Sequence, residues 1–349
     1  MVPAAWKLRA PLAPAVRRGL LAGIPVGAAF LVDLEADLSA AGAISTGALL
    51  AGFIAFDAPG RTRFAWQILA APVIGGAAAL GVLTSEPGWL TTVTMGLFAF
   101  AAALSVAVSP RLYIAGLTCV LALLLAQGLA PSRDVAVDAM LLAAAGAALQ
   151  ALFSLATAPL QPHVELHIKR LEELRRVGRA MREGGERRTA AVRHAARWGL
   201  ALAAGVAAYQ IMDLGQHGYW VPLTVLFVLR PGEAETIERI AMRAAGTVLG
   251  LVIGTPLAIL VGGSAVVECI AIALTAGLSF ALLAIEYALF TTAITCLIVL
   301  LSHALGQSAW QAADERAIGT LLGIVIVAAV IAAWVALARH APSRAGRPA

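Results

Sequence analysis

Charge is scarce in this sequence. Only 13% of its 349 residues are charged, 60% are hydrophobic, and the mean hydropathy is +0.87. Soluble domains carry about 25% charged residues, so this balance excludes a soluble globular chain and puts most of the surface against lipid or other buried helices. Lysine is nearly missing: Lys7 and Lys169 are the only two among 25 basic residues, a bias expected of a GC-rich bacterial genome. Cysteine is rare as well. Cys119, Cys269 and Cys296 each sit in an apolar run without CxxC or Cys/His spacing, which excludes a disulfide framework and leaves no metal site to expect. Walker-type phosphate loops, HExxH, GxSxG and dinucleotide fingerprints are also absent. Neither ATP hydrolysis by this chain nor a familiar enzyme activity has a basis here, and no cofactor is expected.

What the sequence does contain is long apolar runs. A helix crossing the hydrocarbon needs about twenty mostly apolar residues. Twelve such runs are separated by charged or turn-forming clusters: 17–34, 40–56, 66–83, 89–108, 112–129 and 135–158, then 196–214, 218–230, 240–261, 265–283, 286–304 and 315–338. The expected fold is therefore all-α, a polytopic membrane protein of about twelve transmembrane helices. Basic residues precede the first run but no small-residue cleavage site follows it, so that run reads as a retained span.

Positively charged loops stay cytoplasmic, which orients the chain. With the N-terminus inside, all of the 25 basic residues except Arg133 and Arg316 fall on the inner side or at its boundary. The outer loops carry Asp33, Glu35, Asp37, Glu86, Asp134, Asp138, Asp213, Asp314 and Glu315 instead. Both termini are thus expected in the cytoplasm. Because topology accounts for the basic charge, no nucleic-acid partner is needed.

The one long hydrophilic segment, 160–195, divides the chain. It separates an N-terminal six-span unit, 1–159, from a second at 196–338, and a disordered cytoplasmic tail is expected at 339–349. Within the linker Val164, Ile168, Leu171, Leu174, Val177 and Met181 recur every three or four residues, the pattern of an amphipathic helix. A cationic helix lying on the inner leaflet explains it better than a coiled coil, since the stripe is too short to sustain heptads. Gly184-Gly185 ends the stripe.

The two units echo each other. The first span opens Arg18-Gly19-Leu20 and the seventh Arg197-Trp198-Gly199-Leu200; the second ends Asp57-Ala58-Pro59-Gly60 and the eighth Leu229-Arg230-Pro231-Gly232. With an even number of spans in each, the two are expected as tandem parallel six-helix repeats with a pathway between them.

Candidate site residues gather around the eighth and ninth spans. The eighth is short and contains Pro222, which removes a backbone donor, and broken spans often mark transport sites. Tyr219 and Trp220 beside it could contact substrate or form an interfacial belt. Arg239, Arg243, Gly246 and Thr247 follow at helical spacing, so Arg243 is a plausible anion contact one turn inside a span while Arg239 reads as a snorkelling residue. Arg230, Thr224 and Thr247 complete the expected substrate contacts, and Pro231 and Gly250 join Pro222 and Gly246 as hinge candidates. Glu268 and Glu286 are the candidates for carrying a proton, each standing near the start of a span.

Those residues resemble a known family. Tyr219-Trp220-x-x-Leu223-Thr224, Arg230-Pro231-Gly232 and Arg243-x-x-Gly246-Thr247-x-x-Gly250, with Glu286-Tyr287-Ala288-Leu289 further on, are similar to the fusaric acid resistance (FUSC) family, related to the aromatic acid exporters. The likeness covers 196–304. It implies six-span units usually occurring twice, export of aromatic or other organic acids, and a periplasmic adaptor protein as partner; a homo-oligomer is also compatible. The chain departs from the family in lacking a large cytoplasmic domain after each unit, in carrying Asp57 and Pro72 where the second half has Arg230 and small residues, and in having Glu286 where a neutral polar residue is expected. A secondary exporter of small organic anions is the leading expectation. A passive anion channel and a non-transporting scaffold are the alternatives.

Overall fold

A computed structural model describes residues 12–36, 43–129, 132–160, 179, 182–183, 185–214, 218–230 and 233–340. Among the described residues it is helical throughout: α1 Leu12–Glu35, α2 Ala43–Gly52, α3 Gly60–Leu83, α4 Gly88–Leu104, α5 Pro110–Leu129, α6 Ala136–Ala156, α7 Gly185–Ile211, α8 Trp220–Val228, α9 Glu233–Val261, α10 Ala265–Ile285, α11 Tyr287–Ala304 and α12 Ala309–His340. Each expected run coincides with one helix. Nine are long and apolar enough to cross a membrane, namely α1, α3, α4 with its 3-10 extension, α5, α6 and α9 to α12. The linker stripe from Val164 to Met181, Pro231 and residues 341–349 lie outside the described residues, whereas α12 runs into the expected tail as far as His340.

The interior is built of small side chains and the surface of large ones. Alanines dominate the buried residues, while Leu69, Trp89, Leu200, Ile211 and Leu260 are more than 60% exposed. That inversion suits lipid. Helices gain nothing hydrophobic by associating among lipid tails, so close backbone approach through small residues must hold them together. Gly19, Gly23 and Gly27 put one face of α1 directly on the backbone of α10 at Gly277, Ala273 and Cys269. Gly199 of α7 meets Gly96 and Phe100 of α4. The most extensive contacts between the halves are these two, α1 on α10 and α4 on α7. Within the first half α3 packs on α5 and α6, and α2 on α1 and α6; within the second α9 packs on α11 and α12, and α8 on α7 and α12.

Two of the twelve helices are too short to cross the hydrocarbon. Helix α2 has 10 residues and α8 has 9, about 15 and 13 Å of rise against about 30 Å of hydrocarbon. Pro222 does not break α8, because the helix starts at Trp220 and the proline lies in its first turn, where its missing N–H would have had no intrahelical acceptor. After α2 the chain turns through residues 53–58, with Ala55 at a left-handed φ of 50°.

Ending a helix at membrane depth leaves carbonyls without partners, and buried side chains supply them. Gln67 Nε2 donates to Ala51 O at 3.0 Å, Arg63 Nη2 to Gly52 O at 3.4 Å and Arg18 Nη1 to Phe56 O at 2.9 Å. At the end of α8, Arg197 donates to Arg230 O, and Thr236 Oγ1 accepts from Arg230 N at 3.1 Å. Cations also complement the negative end of a helix dipole. Ala51 O also accepts from Ile54 N at 3.0 Å, so substituting Gln67→Leu removes one of its two donors and is expected to lower stability by about 0.5–1.5 kcal/mol, read as a lower melting temperature in detergent.

His194 stands two residues before the expected start of the seventh span, its Nδ1 3.4 Å from Arg197 Nη2. Burial, helped by the Arg197 and Arg230 charges, pushes its pKa down from 6.5 to about 4. The unfolded chain therefore binds more protons between those values, and the stability due to neutral His194 is complete above pH 6.5 and lost as pH falls toward 4. A His194→Asn variant is expected to show a shallower fall in melting temperature over that window than the parent; equal slopes would refute the assignment.

Candidate functional site

A cavity of about 310 Å³ lies between the two halves. Its first-half wall comes from α1, α2 and α5, with Phe30, Leu121 and Leu125 apolar and Ser45 and Thr46 at the beginning of α2. The second half contributes α8, α9, α11 and the start of α12, with Ile294 and Ile298 forming one side. Gln307 and Gln311 stand at the mouth, and Gln311 is exposed. Three phenyl rings, those of Phe53, Phe227 and Phe290, also line the space. Phe53 just beyond α2 and Phe227 near the end of α8 each lie 6.0 Å from Phe290, and Phe53 also meets Phe280 edge-on at 4.7 Å.

Two arginines enter this otherwise apolar space. Arg243 projects from α9, ten residues and about 15 Å from the helix start, and Arg316 from the second turn of α12. Both are 0% exposed. Arg243 Nε and Nη2 and all three guanidinium nitrogens of Arg316 are buried without a hydrogen-bond partner among the described residues. Each has an aromatic face instead: Arg316 lies 4.5 Å from the Trp220 ring centroid and Arg243 5.7 Å from that of Phe227. Tyr219 in turn stacks on Trp220 at 4.4 Å. No carboxylate lines the cavity among the described residues. Cation–π contact recovers only part of what guanidinium loses on leaving water, about 2 kcal/mol against several for desolvation. This arrangement can therefore take up an anion, with forked donors for its charge and aromatic faces for its body.

Arg243, Tyr219 and Trp220 of the expected substrate contacts line the cavity, and Thr224, Thr247 and Arg230 do not. Thr224 Oγ1 donates to Trp220 O at 3.0 Å, turned into its own helix, and its side chain lies under Gly323 of α12. Thr247 is buried away from the lining, and Arg230 stands at the exit of α8, where its carbonyl receives Arg197. Gly246 and Gly250 face Thr291 and Thr295 of α11 in close contact, which identifies them with packing. Glu268 lies in the first turn of α10 and Glu286 at the break between α10 and α11, where its Oε1 accepts from Tyr287 N at 3.1 Å and caps α11. Neither carboxylate reaches the cavity. Replacing Glu286 by alanine is expected to cost about 1 kcal/mol of stability and to spare any transport, the signature of a cap.

Arg316 was not among the sequence candidates, although the sequence carries its signal. It is one of two basic residues on the wrong side of the positive-inside pattern. The other, Arg133, lies at the surface donating to the Glu86 carbonyl. Asp33 was missed as well: this carboxylate is 4% exposed, and its Oδ2 accepts from Ser45 N at 3.0 Å, pinning the first turn of α2 beside the cavity.

Residues 200–330 match the family described as fusaric acid resistance protein-like. The inner membrane protein YccS of Escherichia coli is 38% identical over 147 residues, 42% of this chain and 20% of that protein. An uncharacterized Neisseria gonorrhoeae protein, ORF2, is 43% identical over 63 residues, and one from Haemophilus influenzae is 33% identical over 109, which is 18% and 31% of this chain respectively and 15% of each of those proteins. The chain thus spans a fifth or less of the curated relatives it matches. No solved structure matches it.

Proposed function

We propose, from the premise that this chain is a membrane protein of the fusaric acid resistance protein-like family through its residues 200–330, that it transports small organic anions, aromatic acids among them, by a pathway between two six-helix units. The observation that carries this reading is the pair of buried guanidinium groups, Arg243 and Arg316, which have no hydrogen-bond partner among the described residues and stand in an aromatic-lined cavity without a carboxylate among those residues. Burying an unpaired charge costs several kcal/mol, and a visiting anion is the partner that removes the cost.

The reading of the chain as tandem repeats draws support from recurring contacts. Third helix on fifth and sixth, second on first and sixth, and the first helix of each half on the fourth of the other all occur twice. Each second helix is short, and each is followed by a carbonyl held by an arginine of the first helix in its own half, Arg18 or Arg197. Parallel repeats of this kind enclose a site at their interface. The cavity uses both units, but its cations come from the second alone.

A cavity lined by aromatic side chains with buried cations suits a carrier that binds its substrate. Purified protein in liposomes should take up radiolabelled benzoate with saturation and respond to an imposed pH gradient. Flux that stays linear with concentration and ignores the gradient would instead assign a channel, and absence of flux for every organic anion tried would remove the transport reading. The name of the Escherichia coli relative supports an inner-membrane location, and cytoplasmic termini follow from the basic-residue pattern.

A further inference from the structure

We infer that the cavity is built for a doubly charged organic anion, an apolar or aromatic body bearing two negative groups, rather than for a monocarboxylate. The inference rests on the anion-binding reading above and adds a charge count to it. Two guanidinium groups face one space of about 310 Å³, close enough that each charge acts on the other. Five of their six nitrogens are buried and donate to nothing among the described residues. A guanidinium carries N–H donors and no acceptor, so neither group can satisfy the other.

Every other described residue on the wall is neutral. Ser45, Thr46, Ser302, Gln307 and Gln311 are its uncharged polar side chains, and Tyr219 contributes a phenol. The acids closest in the sequence to the two arginines do not line the cavity: Glu238 and Asp314 are exposed, and Glu315 is held at the mouth, where it accepts from Gln307 and Gln311 at 2.8 and 3.2 Å. Asp33, on the first-half side, spends one oxygen on Ser45 N and does not line the cavity. A monoanion entering this site would pair one cation and leave the other buried and repelled. A dianion satisfies both, and each forked guanidinium can hold a carboxylate, sulfonate or phosphonate in two parallel hydrogen bonds. The volume is at the lower end for ligand pockets, of order 300 Å³, which suits a single-ring or short-chain molecule. The aromatic faces of Trp220, Phe227 and Phe290 are placed to receive its body.

The test is isothermal titration at pH 8 of the full chain in lipid nanodiscs, with benzoate as the monoanion and benzene-1,2- and benzene-1,4-dicarboxylate as dianions of two charge spacings. At least one dicarboxylate should bind about tenfold or more tightly than benzoate, with one molecule per chain. Arg316→Gln should erase that preference, lowering the affinity for the dicarboxylate by about tenfold while changing that for benzoate by less than about threefold. Arg316→Lys, which keeps the charge, should retain a preference for the dicarboxylate and guards against a folding artefact in the glutamine variant. Benzoate binding as tightly as both dicarboxylates, two benzoates per chain, or equal losses for both ligands in Arg316→Gln would overturn the charge count while leaving an anion site in place. Failure of all three ligands to bind would overturn the anion-binding reading itself.

Discussion

Arg243→Gln is expected to cut saturable anion uptake into proteoliposomes by about tenfold or more, since a charge-assisted hydrogen bond to the ligand is worth about 1.5–3 kcal/mol. Arg316→Gln should act on the same scale for a doubly charged substrate. The two side chains share one cavity and neither makes a hydrogen bond within the described protein, so removing either leaves no internal acceptor orphaned. Loss of flux without loss of melting temperature is therefore the expected signature. Thr224→Val supplies the contrast: its hydroxyl is spent on Trp220 O, and uptake should stay within about twofold of the parent. Full activity in both arginine variants would refute their role.

Gly23→Leu is expected to separate the halves of the protein. A Cβ at Gly23 would overlap the Ala273 carbonyl oxygen and stand 2.7 Å from Gly277 N, and all of those atoms are backbone that cannot rotate away. Overpacking a core costs about 1–3 kcal/mol where side chains can yield, and more is expected where a helix must move. Because α1 on α10 is the most extensive contact between the halves, the variant should elute as aggregate or melt well below the parent. Gly76 is the control. It has nothing within 4 Å of its missing Cβ and faces outward, so Gly76→Leu should leave elution and melting nearly unchanged. A well-behaved Gly23→Leu protein would mean that the α1–α10 contact does not hold the halves together.

The sequence made the helices legible because hydrophobic length is the strongest signal a membrane chain carries. Where it misled, the apolar run outlasted the helix. Around α2 the run continues through Phe53 to Phe56, residues that are apolar yet lie in turns, since Gln67, Arg63 and Arg18 give their region's carbonyls a way out of the helical pattern. Such long-range side-chain caps leave no local trace. Arg243, Tyr219 and Trp220 were legible from spacing and reach the cavity. Thr224 and Thr247 share their neighbourhood in sequence but not their direction, because helical phase turns each toward a neighbouring helix. Arg316 required a different kind of reading. A basic residue that violates the charge asymmetry of its loops is either a surface exception, as Arg133 is, or a charge kept in place for a partner, and only the fold distinguishes the two.

Glu268 and Glu286 show the opposite lesson. A carboxyl near the start of an apolar run has the composition of a proton carrier and the position of a helix cap. The structure gives Glu286 the second role, with Tyr287 N as its partner.

The most direct test of the central claim is a crystal or cryo-EM structure of the full chain with 4-iodobenzoate or an iodinated benzene dicarboxylate, locating the iodine by its scattering. The ligand should occupy the space between Trp220 and Phe290 with a carboxylate on Arg243 or Arg316. Saturating ligand found elsewhere, with both guanidinium groups still unpartnered, would contradict the account.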